Sequence, residues 1–205
     1  MNAARLKPGK KFPLLLYERF FSMVQWPSLL IAIGAGALWW FAPPLPLLAS
    51  RENWLALAGG LSALLFLGAF AARFFSYVQC QPGYLLIRTP LFRVAVSYSR
   101  IQYVRSVIVK DLFPSAQQKW NQRQSIEPFL SSTVVAVNLK GYPLDERLLK
   151  LWLNNFMFTR DTPGFLFIVR DWMSLSREID AYKEQWLARK RDSARPERGL
   201  TSLVR

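Results

Sequence analysis

The sequence predicts a membrane α-helical hairpin joined to an α+β domain, in which short antiparallel strands form a bent sheet or partly open barrel closed by a C-terminal helix. Three observations predict it. Two apolar runs, Phe20 to Ala42 and Asn53 to Ala72, contain no Asp, Glu, Lys, Arg or His. Beyond Arg73 the pattern changes to short segments of alternating apolar and polar residues, punctuated by Pro and Gly. Near the end, Trp172–Arg191 sets Leu175, Ile179, Tyr182, Trp186 and Leu187 on one helical stripe.

Each apolar run is long enough to cross a bilayer core of about 30 Å, which takes roughly 20 helical residues. A helix is the expected form, because it satisfies its own backbone amides in lipid. Trp26, Trp39, Trp40 and Trp54 fall near the proposed interfaces, where aromatic belts form. A signal peptide is the competing reading of the first run, but signal cores hold only about 7–15 apolar residues. Two core helices of a soluble protein are the other alternative, yet neither run has a polar face. Phe12–Phe21 is expected to lie in the headgroup region before the first span. Pro27 is placed near the start of that span, where it costs least. Gly34, Gly36, Gly59 and Gly60 are candidate helix-packing residues, since small side chains let helices approach closely in lipid.

Charge orients the hairpin. The chain of 205 residues has a net charge of +14. Residues 1–19 carry a net +4, the connector Pro43–Glu52 is neutral, and residues 73–205 carry +10. Lys and Arg favour the cytoplasmic ends of membrane helices. Both termini are therefore expected in the cytoplasm of a multi-pass cell (inner) membrane protein. The expected divisions are a basic arm and interfacial segment at 1–19, the hairpin at 20–79, a cytoplasmic domain at 80–191 and a basic tail at 192–205.

Within the domain, Tyr84–Thr89, Phe92–Tyr98, Ile101–Val109, Ser132–Lys140 and Gly164–Arg170 read as strands. Phe92, Val94, Val96 and Tyr98 share one face. Asp145–Phe156 reads as a helix with Leu148, Leu149, Leu151, Trp152 and Phe156 at helical spacing, and Ser174 is the expected cap of the closing helix. Residues 110–131 interrupt the pattern as a long polar loop, which in a compact domain is often functional. Its aromatics Phe113, Trp120 and Phe129 either anchor a partner or fold back on the domain.

Tyr77–Ser106 reads YVQCQPGYLLIRTPLFRVAVSYSRIQYVRS. A turn, a strand, a basic turn, a second strand and then Arg-Ile-x-x-Val follow the second apolar run, with Gly83, Arg88, Tyr98, Arg100, Ile101 and Val104 in those places. This passage resembles the bacterial pleckstrin-homology-like (PH-like) membrane proteins. The resemblance implies a PH-like domain capped by the helix near Trp172–Arg189. The Lys110–Ser131 insertion and the Asp145–Phe156 helix depart from a minimal domain of that kind.

Chemistry is sparse. No histidine is present, so a His base or imidazole ligand is excluded in this chain. Cys80 is the single cysteine; packing and juxtamembrane palmitoylation are its two readings. Asp145 and Glu146 open a predicted helix, where acids offset the dipole. No cofactor, metal or enzymatic activity is expected. The basic residues Arg88, Arg93, Arg100, Arg105, Lys110 and Arg123, with Trp120, form the candidate lipid- or partner-binding set. The expected function is a non-catalytic scaffold or accessory subunit that docks a protein partner, or a second copy, at the cytoplasmic membrane surface. An anionic-lipid-sensing module is the alternative, and a membrane enzyme the third. Nucleic acid is not an expected partner.

Overall fold

The computed structural model describes residues 7–41, 52–113, 126–159 and 162–194. They form two apolar helices and an α+β region with two antiparallel sheets rather than one closed barrel. By compactness the residues up to Phe12 group with Val78 onward, and Pro13–Tyr77 stands as a second unit.

The second unit holds α1 (Leu15–Phe41) and α2 (Glu52–Phe74), of 27 and 23 residues. At 1.5 Å per residue they run to about 40 and 34 Å. Both are long and apolar enough to cross a membrane. Glu18 and Arg73 form an ion pair, and Ala35 faces Gly59, so the helices run antiparallel. Large apolar side chains point outward along both, among them Leu30, Trp40, Trp54 and Leu64. The first helix starts earlier than the sequence suggests: Leu15–Phe21 is continuous with it rather than a separate interfacial segment. Pro27 therefore lies midway along α1, not near its start. Beside it the Ser28 hydroxyl donates to the Val24 carbonyl at 2.8 Å. Of the four candidate packing glycines, Gly59 makes the close approach. A Cβ there would meet the Ala35 Cβ at 3.4 Å, whereas at Gly34, Gly36 and Gly60 it would meet nothing within 4 Å. Gly36, Gly59 and Gly60 line an apolar groove between the helices.

The other unit is built on strands β1 (Lys11–Pro13), β2 (Tyr77–Cys80), β3 (Tyr84–Arg88) and β4 (Arg93–Ser97), in that spatial order. A second sheet contains β5 (Ile101–Ile108), β6 (Thr133–Leu139) and β7 (Gly164–Phe167). Alternation sets β4: Val94 and Val96 are buried while Arg93 and Ala95 face out. β6 and β7 are buried almost throughout, as befits a central strand and its covered neighbour. The remaining helices are a single turn α3 (Val109–Leu112), α4 (Glu146–Trp152) and the closing α5 (Trp172–Ala194). Leu175 and Ile179 seat α5 on the core. The cap of α5 is Asp171, whose carboxylate accepts from the Ser174 amide at 3.1 Å, and not Ser174 itself.

The segment before α1, which the sequence reads as a basic arm, is held along its described length. Tyr182 donates to the Lys7 carbonyl at 2.8 Å, and the Gly9 amide to the Cys80 carbonyl at 2.8 Å. Gln79 returns a bond to the Gly9 carbonyl at 2.7 Å, and the Lys10 amide donates to Glu178 at 3.0 Å. Residues 7–13 thus complete a sheet whose other strands follow α2.

Candidate docking surface

The tip of the β3–β4 hairpin is fixed by its own hydrogen bonds. The Thr89 amide donates to the Phe92 carbonyl at 2.9 Å, and the Phe92 amide to the Thr89 hydroxyl at 3.1 Å. Pro90 presets the first central position of the turn. The result is a rigid tip that presents Leu91 to solvent, 80% exposed. Strand register sets Arg88 directly opposite Arg93 just below it. Like charges directly opposite each other on a ladder are unfavourable.

Phe92 stacks on Trp152 of α4, with ring centroids 5.8 Å apart and planes 9° from parallel. That contact joins the hairpin tip to α4. The helix is stabilised at its start by Glu146, which pairs with Lys150 at 2.5 Å one turn on. Only Leu149 within α4 is fully buried; Leu153 follows it into the core. Leu148, Leu151 and Trp152 face out with Leu144 one turn earlier, and Leu151 is 75% exposed. The sequence reading places Leu148, Leu149, Leu151, Trp152 and Phe156 at helical spacing on one helix, whereas the helix ends at Trp152 and Phe156 falls in the turn that follows. The structure splits them, because residues 148 and 152 lie four apart on one face and 149 and 153 on another. A helix apolar on two sides is the signal that could have exposed this face in the sequence.

The other candidates are dispersed. Arg100 donates to the Tyr142 carbonyl at 2.6 Å and so ties two loops of the domain. Arg105 lies on the second sheet, opposite Ala136, and Lys110 is exposed on α3. Trp120 and Arg123 lie outside the described residues. Of the loop aromatics, Phe113 folds back, buried edge-on against Phe156 at 5.5 Å, and Phe129 is half-buried.

Two buried groups could carry chemistry, and neither is set up for it. Burial pushes the Cys80 thiol up to about 12, with Glu178 adding to the effect and a hydrogen bond from Tyr98 opposing it. Such a thiol is almost entirely protonated near neutrality and a poor nucleophile. The Tyr98 hydroxyl beside it is raised by burial too. Asn138 donates to Tyr103 at 3.1 Å and to Thr162 at 2.6 Å, holding a buried crossing of β6. Among the described residues no three His, Cys, Asp or Glu side chains group to hold a metal. The chain matches no protein-family model, no curated protein and no solved structure.

Proposed function

We propose that this chain is a two-span protein of the cell inner membrane, PH-like in its domain, that acts without catalysis as a scaffold or accessory subunit docking a protein partner. The observation that carries this reading is the outward apolar face of α4 with Leu91 at the adjoining hairpin tip. Exposed aliphatic and Trp side chains gathered on one surface have the composition of an interface core. The strand before α1 and the strand after α2 are neighbours in one sheet. If the helices span, both ends must lie on the same side, which supports termini that share the cytoplasm. The basic flanks give the choice of side.

The test is purification of the full chain from native membranes in mild detergent. A stoichiometric partner should co-purify, and Leu148→Glu with Leu151→Glu should release it while leaving the chain folded. A partner retained by that double variant would overturn the α4 face as the docking surface.

The Arg88–Arg93 juxtaposition favours a second reading, an anionic headgroup held at the hairpin tip. Under it, anionic lipid should be retained by the full chain through purification in mild detergent. Anionic lipid should be depleted in Arg88→Gln with Arg93→Gln, and the loss should mimic high salt.

A further inference from the structure

We infer that the outer edge of β5 receives an extended, acidic segment of a partner protein as an added strand. This deepens the docking reading and rests on it.

The ladder shows which backbone groups of β5 turn away from β6. The Val109 amide donates to the Ser132 carbonyl, one step beyond the Ile108–Thr133 pair. Antiparallel pairs alternate between bonded and non-bonded. Val107, Arg105 and Tyr103 therefore bond to β6, and Val104, Ser106 and Ile108 turn their amides the other way. The β6–β7 pairing agrees, since the Leu139 amide donates to the Pro163 carbonyl and so Val137 and Val135 face β7. Among the described residues no strand lies on the outer side of β5. One outward group there is used: the Gln102 carbonyl accepts from the Lys183 ammonium at 2.6 Å.

Exposed edges are normally blunted by bulges, prolines or charges. The irregularity in β5 falls between Ile101 and Tyr103, so residues 103–108 remain regular. They contain no proline and a single charge, Arg105. Val104 and Val107 are half-buried, and Tyr103 and Ile108 are substantially exposed, giving an incoming strand apolar contact on both faces.

Charge selects the occupant. From Arg100 to Lys110 the chain carries Arg100, Arg105 and Lys110 and no acid, and Lys183 stands at the Gln102 end. A second copy would bring the same cations together within about 8 Å, the screening length at physiological salt. A segment alternating carboxylates with β-branched residues complements them, with main-chain bonds for affinity and side-chain charge for choice.

The full chain in detergent micelles is titrated with a short synthetic peptide alternating glutamate and valine, and with its lysine counterpart. The acidic peptide should bind at least tenfold tighter, with an affinity that falls as salt rises. Ser106→Pro removes an outward amide without touching the β6 ladder and should abolish binding; Ser106→Ala should retain it. Equal binding of the two peptides, or full binding by the proline variant, overturns the inference. Should the proline variant fail to fold, amide exchange in the unaltered chain decides. Val104, Ser106 and Ile108 should exchange fast alone and slowly with acidic peptide. Slow exchange in the chain alone would mean the edge is already covered, by the chain itself or by a second copy, and overturns the inference. Loss of the peptide by Ser106→Pro while the membrane partner still co-purifies would refute the edge as that partner's site and leave the docking reading standing.

Discussion

Single residues in this domain are constrained by backbone approach and by the placement of a few carboxylates. A Cβ on Gly164 would lie 2.7 Å from the Val137 carbonyl oxygen and 2.8 Å from the Thr159 hydroxyl. Because the first of these is backbone in the central strand, Gly164→Ala should cost about 1–3 kcal/mol, as overpacking typically does; denaturant melts of the full chain in detergent would measure it. Glu178 titrates above the ordinary 4.5 because it is partly buried, with the Lys10 amide and ammonium opposing the rise. The folded state therefore favours its protonated form. Stability is greatest below the ordinary value and declines as pH rises through the folded value. Glu178→Gln keeps an acceptor for the Lys10 amide and should remove that decline. Asp171 has the opposite sign. Hydrogen bonds from the Ser174 hydroxyl and amide hold it below 3.8, so its contribution is full above that value and lost as pH falls through the lower folded one. Melting temperature followed against pH would read both carboxylates, and Asp171→Asn should flatten the acid limb of that profile. None of these contacts could be read from the sequence. Gly164 is one glycine among ten, and Glu178 meets Lys10 across most of the chain.

At the scale of elements, periodicity carried far. The alternation of Phe92–Tyr98 identified β4 and its buried face, and the stripe from Leu175 to Ile179 identified the seated part of α5. Both signals are local: one period, one covered face. The short strand Lys11–Pro13 was illegible, because three residues give no period and their hydrogen-bond partners lie beyond two apolar helices. The α4 stripe was legible as a helix and not as an exposed one, since composition does not say which of two apolar sides is covered. The Glu18–Arg73 pair bridges the start of α1 and the end of α2. If it fixes the register of the helices, Arg73→Glu should lower the yield of folded chain through like-charge repulsion with Glu18. The exchanged pair, Glu18→Arg with Arg73→Glu, should recover most of it, as read by monodispersity in detergent.

The whole molecule is discontinuous in sequence: residues up to Phe12 belong with Val78 onward, and the apolar pair is inserted between them. A fragment beginning at residue 78 therefore lacks the strap from Lys7 to Pro13 and leaves β2 as a bare edge. It should aggregate in aqueous buffer, by light scattering, while the same fragment supplied with a peptide of residues 7–13 should remain dispersed longer. The bonds joining Gly9 to Cys80 and Lys10 to Glu178 also impose an order in time. On the ribosome, the opening strand emerges first and must wait, unpaired, until both apolar helices and the start of the next strand have been made. Assembly of the sheet is thereby tied to completion of the insert, and a chain halted before both helices are made cannot close its domain.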